Sequence, residues 1–136
     1  MLTIVRNGQL LHSTRVVLPH SAQAYRLPVH GVVQQAIWKP SWTPTAATRK
    51  AQPRLKAYYR GGESGNAMGD IKLVIQYEAG SNIPSTVRIH GAAAEVDLGT
   101  RKSRGCIRVQ NSFAPTLLQA VNEGQRLGVV RTYFYN

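Results

Sequence analysis

Residues 86–111 read TVRIHGAAAEVDLGTRKSRGCIRVQN, and the way this stretch folds decides the rest of the chain. Val87 and Ile89 alternate with Thr86, Arg88 and His90, the period of a half-buried strand. GAAAEVDLGTRK then reads as a loop, and CIRV (106–109) is again short and strand-like. A strand that leaves, loops and returns beside itself can bring His90 and Cys106 together, although they are sixteen residues apart. Cys106 is the chain's only cysteine, and it stands between Arg104 and Arg108. A lone small thiol can simply fill a core. A cationic neighbourhood instead favours thiolate, which makes a nucleophile. The chemistry then needs a base, and a histidine within hydrogen-bond reach can take the thiol proton and return it to a leaving amine. Gly105 lets a substrate approach the sulfur, and backbone N–H groups from Arg104 to Cys106 can form an oxyanion hole.

Working outward, LTIVRNGQLLHSTRVVL (2–18) reads as a β-hairpin turning at Asn7-Gly8. VHGVVQQAI (29–37) is a strand candidate, while Pro40 and Pro44 make WKPSWTPTAATRK a loop with one helical turn at 45–50. PRLKAYYR (53–60) reads as a short helix that starts at proline. GGESGNAMGD (61–70) is a glycine-rich loop without the spacing of a phosphate cradle. IKLVIQY (71–77) is a strand, SFAPTLLQAVNEG (112–124) a helix capped by Ser112 and ended by Gly124, and RLGVVRTYF a closing strand. The expected fold class is mostly β, a closed or sandwiched sheet with one or two short helices.

The 136 residues are expected to form a single domain, 1–136. No apolar run approaches the roughly 18 residues of a membrane span, so no transmembrane segment is expected. The opening MLTIVRNGQLL lacks the basic segment and small-residue cleavage site of a signal peptide. Seventeen basic residues against six acidic ones give a net charge of +11, which points to anionic partners. The cations are dispersed, and only KAYYR (56–60) interleaves them closely with aromatics. Specific nucleic acid is therefore not expected, while acidic lipid and an anionic polymer such as cell wall stay open. His12, His20 and His30 are scattered and read as structural or exposed. With one cysteine they do not supply a zinc ligand set, and no metal is expected.

RIHGAAAEVDLGTRKSRGCIRVQN (88–111) resembles the signature of YkuD-type L,D-transpeptidases: His-Gly, a spacer of this length, then Ser or Thr, a variable residue, Gly-Cys, an apolar residue and Arg or Asn. KPSWTPT, GNAMGDIKLVI and TIVRNGQLLHSTRVV resemble that family's Pro-x-Trp segment, Gly-Asn-x-x-Gly segment and opening hairpin. The resemblance implies a YkuD-like β-sandwich acting on peptidoglycan stem peptides in the cell envelope, periplasmic or extracellular. It implies no cofactor, a monomer, and inhibition by carbapenem-type compounds. In the implied reaction Cys106 is the nucleophile and His90 the base, oriented by the Gly91 carbonyl. Ser103 orders the loop. Arg104 and Gly105 flank the thiol, and Arg108 holds the site together or meets a substrate carboxylate. The implied product is a 3–3 cross-link with release of D-alanine. Alternatives within reach are an L,D-carboxypeptidase, a wall-targeting effector, and a non-catalytic basic wall-binding module. The sequence departs from the family pattern at Arg104, where histidine is common, and in LPHSAQAYRLP (18–28), which lacks the usual glycine turn and Thr-Pro element.

Overall fold

The computed structural model describes residues 1–94, 96–127 and 130–134. Strands β1 (Leu2–Arg6) and β2 (Gln9–Thr14) form the opening hairpin. Asn7 and Gly8 turn it with positive φ angles of 49° and 77°, a conformation both residue types accept. The chain continues through β3 (Val29–Trp38), helix α1 (Ala46–Ala51), β4 (Ile71–Tyr77), β5 (Ile89–His90), β6 (Ile107–Arg108), helix α2 (Ala114–Leu127) and β7 (Val130–Phe134). Single 3-10 turns occupy His20–Ala24 and Asn111–Phe113.

The strands make one sheet in the order β2-β1-β7-β3-β4-β5-β6. Every pairing is antiparallel except β5 with β6, which run parallel. The sheet then curls until its two ends meet. Val17, three residues beyond β2, exchanges both backbone hydrogen bonds with Arg108 of β6 at 2.9 Å each. Residues 15–18 therefore leave the expected hairpin and close the sheet. The enclosed core contains Leu2, Ile4, Leu73, Ile89, Ile107 and Phe134. One face of α2 packs on it through Ala114, Leu117 and Val121, the spacing of a helix buried on one side.

Further expectations change. Residues 53–60 are not helical. Tyr59 is held extended by reciprocal backbone bonds with Trp42 at 2.8 and 2.9 Å, and the two rings pack 5.2 Å apart. The strand expected at 86–90 begins only at Ile89, because the Val87 N–H donates to the Pro84 carbonyl in a turn. Ser112 sits inside the 3-10 turn instead of capping α2, and α2 runs past Gly124 to Leu127. The closing strand starts at Val130, while Gly128 and Val129 lie outside the described residues. Thr45 caps α1, its Oγ1 accepting the Thr48 N–H at 3.1 Å.

Candidate active site

The parallel β5–β6 register sets Ile89 beside Ile107 and His90 beside Arg108. Strand side chains alternate faces. Ile89, Ile107 and Val109 are fully buried in the core. His90, Cys106 and Arg108 therefore share the opposite face. The Ile107 N–H donates to the Arg88 carbonyl and the Val109 N–H to the His90 carbonyl, both at 2.9 Å. Extending the register by one residue puts Arg88 beside Cys106. On the other side of His90, β4 contributes Lys72.

His90, Cys106, Arg104, Gly105 and Arg108 line one cleft of about 310 Å³, walled by Trp42 and Met68. His90 is only 6% exposed. Its Nδ1 lies 2.6 Å from the Gly91 carbonyl oxygen. A carbonyl only accepts, so Nδ1 carries the proton and Nε2 presents a free lone pair. Burial, above all, pushes the imidazole pKa down to about 4; the charges of Arg108 and Lys72 add to this and the Gly91 carbonyl opposes it. The resting ring is neutral at pH 7 and able to accept a proton.

The loop carrying Cys106 is pinned from below. Ser103 is 1% exposed, and its hydroxyl donates to the Cys106 carbonyl. Its own N–H donates to the Leu18 carbonyl, and its carbonyl accepts from His20, both at 3.1 Å. LPHSAQAYRLP, the segment that departs from the family pattern, is thus the support on which this loop rests. The N–H groups of Arg104, Gly105 and Cys106 donate to no backbone acceptor among the described residues. A Cβ on Gly105 would meet nothing within 4 Å. The small residue there is not demanded by the protein's own packing, and the open space belongs to the cleft.

Two asparagines join the site that the sequence reading did not single out. Asn111 clamps Asp70: its Oδ1 accepts the Asp70 N–H at 2.8 Å and its Nδ2 donates to Oδ2 at 3.1 Å. The clamp fits only because Gly69 and Gly91 leave room, since a Cβ on either would lie 2.4 Å from Asn111 Oδ1. Asn66 is buried and donates to the carbonyls of Pro40 and Arg60 at 2.9 and 3.0 Å, while accepting the Met68 N–H at 2.9 Å. It ties together the segments that bring Trp42 and Met68 to the cleft. The glycine–asparagine pairs in GNAMG and IHG…QN were the available signal.

Arg104 and Arg108 line the cleft, Lys72 stands beside His90 on β4 and Arg88 precedes β5, and among the described residues none of the four pairs with a carboxylate. No three His, Cys, Asp or Glu side chains among the described residues cluster closely enough for a metal ion. No helix among them is long and apolar enough to cross a membrane.

A curled, mostly β sheet that presents one thiol and one neutral imidazole in an open basic cleft defines a narrow class of proteins. The family model for the L,D-transpeptidase catalytic domain, YkuD, matches residues 1–130, and the chain belongs to that family. A similar curated protein is the probable L,D-transpeptidase YcfS of Escherichia coli (strain K12), 33% identical over 97 residues. The match covers 68% of this chain and 28% of that relative's length.

Proposed function

We propose that this domain is a peptidoglycan L,D-transpeptidase of the cell envelope, acting through a Cys106 thioester. The observation that carries the reading is the β5–β6 register. It sets Cys106 on the face of His90, whose Nδ1–H is spent on Gly91 while Nε2 stays free. Family membership supports peptidoglycan as the substrate.

The steps follow from these groups. His90 Nε2 takes the Cys106 proton as the sulfur attacks the carbonyl before the terminal D-alanine of a tetrapeptide stem. The carbonyl oxygen becomes an oxyanion facing the N–H groups of Arg104, Gly105 and Cys106. The imidazolium formed is costly in so buried a position, and it returns its proton readily to the departing amine of D-alanine. A thioester remains. The amine of a second stem gives its proton to Nε2, attacks the thioester, and expels the sulfur, which recovers the proton. Arg104 replaces a histidine common in the family. It only donates hydrogen bonds, so it serves in electrostatics and not as a second base. Ser103 keeps the Cys106 carbonyl turned into the fold. Arg108 sits beside His90 and holds the end of the curled sheet through Val17.

The test is mass spectrometry of products from a disaccharide-tetrapeptide. A 3–3 linked dimer with release of D-alanine is the expected result. Tripeptide alone would make the enzyme an L,D-carboxypeptidase, and no conversion would favour a non-catalytic wall-binding module.

A further inference from the structure

The excursion between β3 and β4, residues 39–69, walls the cleft with Trp42 and Met68, and it is also the most basic part of the chain. It carries six of the seventeen basic residues and one acidic residue, Glu63, so nearly half of the excess positive charge sits here. Five of the six, Arg49, Lys50, Arg54, Lys56 and Arg60, fall within twelve positions, and all five are exposed. Glu63 neutralises one of them. Its carboxylate meets Lys56 Nζ, and its Oε2 accepts the Arg60 backbone N–H at 2.7 Å. Among the described residues Arg49, Lys50, Arg54 and Arg60 pair with no carboxylate. The basic segment is also fastened to the cleft. Thr48 and Gln52, four positions apart at the end of α1, line the cleft, while Arg49 and Lys50 between them stand in solvent. Tyr59 packs on Trp42, and Asn66 joins the carbonyls of Pro40 and Arg60. Residues 49–60 thus form a fixed, unneutralised rim to the cleft that holds Cys106.

We infer that this rim, residues 49–60, is the surface on which the anionic wall polymer docks, so that its stems are held at the mouth of the cleft. Exposed cations on long stems suit a polymer whose carboxylates repeat without a fixed register. Each contact is weak and screened by salt, and several together retain the strand. A strand so retained presents its stems to Cys106 at a raised effective concentration. The surface chemistry favours this partner over the other anions. Tyr58, 52% exposed, is the one large apolar side chain that the rim presents to solvent, whereas a membrane-bound face carries a broad apolar stripe. Its neighbour Tyr59 is 6% exposed, which leaves a single ring and no platform for stacking bases. The identity of the polymer rests on the transpeptidase reading, and the experiment separates the two.

Two triple variants that each remove three positive charges are compared. One changes the rim (Arg49→Gln, Lys50→Gln and Arg54→Gln together), and the other changes distant positions (Arg6→Gln, Arg15→Gln and Arg26→Gln together). Both should melt within a few degrees of the parent. Binding to purified sacculi is measured by sedimentation in the Cys106→Ala background at about 0.1 M salt. The rim triple should bind about tenfold more weakly, from roughly two- to threefold for each exposed contact, and the distant triple within about twofold of the parent. With Cys106 intact, the initial rate on sacculi relative to that on soluble disaccharide-tetrapeptide should fall about tenfold in the rim triple and hold in the distant one. Equal losses in the two triples would mean that overall charge recruits the wall, and would overturn the inference. So would a rim triple that binds sacculi like its parent, even with transfer on the soluble substrate intact. A larger loss on vesicles of anionic phospholipid than on sacculi would reassign the rim to a membrane and overturn it as well. Rim-dependent sacculus binding by a protein that converts neither substrate would sink the reaction and leave the docking surface standing.

Discussion

The buried imidazole makes a quantitative prediction about acid stability. In the unfolded chain His90 titrates near the ordinary 6.5, and in the fold at about 4. At about 1.4 kcal/mol per unit, the gap corresponds to about 3 kcal/mol. Between the two values the unfolded chain binds a proton that the native protein does not. Stability therefore rises with pH across this window. The contribution is fully present above 6.5 and is lost as pH falls through 4. The perturbation is His90→Asn, whose side-chain amide can still donate to the Gly91 carbonyl but does not titrate. Urea unfolding of both proteins at half-unit steps from pH 7 to pH 4 gives the assay. All other titrations are common to both, so subtraction isolates His90. The stability difference, wild type minus variant, should fall by about 3 kcal/mol from neutral pH to pH 4. A difference that stays constant over this range would refute the claim that the ring is held neutral by burial.

Three further outcomes follow from the same geometry. Gly69 has φ +63° and a Cβ there would lie 2.4 Å from both the Ala92 N and Asn111 Oδ1, whereas Gly80 has φ +79° and open space. Gly69→Ala should cost about 3 kcal/mol or more and Gly80→Ala about 1 kcal/mol, read from urea midpoints; equal losses would contradict the Asn111 clamp. A carbapenem should add once to the reduced protein by intact mass and not to Cys106→Ala, and a wild-type protein without adduct would count against an open, reactive thiol. Sedimentation with purified sacculi should weaken between 0.1 M and 1 M salt as the screening length shrinks from about 10 Å to about 3 Å. Salt-insensitive binding would mean that the +11 charge is not what recruits the wall.

Much of the fold was legible where the signal is local. IKLVIQY alternates over one strand and forms β4 at the expected residues, and Asn7-Gly8 turns the hairpin. Cys106 and His90 stood out as candidates through a short pattern of neighbours around each, and both line one cleft. What failed was set by distant partners. Residues 53–60 carry a helix-like start at Pro53, but Trp42 pairs with Tyr59 and holds the chain extended. RVVL belongs by pattern to the hairpin, yet Val17 bonds Arg108, ninety-one positions later. Asn111 acts on Asp70 and Asn66 on Pro40, separations of 41 and 26 residues that no local window contains. The parallel pairing of β5 and β6, which gives the site its geometry, rests on two residues per strand and leaves no periodicity to read.

The most direct test of the central claim is to trap the acyl-enzyme. The wild-type protein is mixed with disaccharide-tetrapeptide, quenched in acid within seconds, before the amine of a second stem resolves the thioester, and mapped after trypsin digestion. A mass increase equal to the disaccharide-tetrapeptide less D-alanine is expected on the peptide GCIR (105–108), which contains Cys106. The increase should be absent in Cys106→Ala and slowed at least a hundredfold in His90→Ala. Release of D-alanine at the wild-type rate by Cys106→Ala, or an adduct on any other peptide, would contradict it.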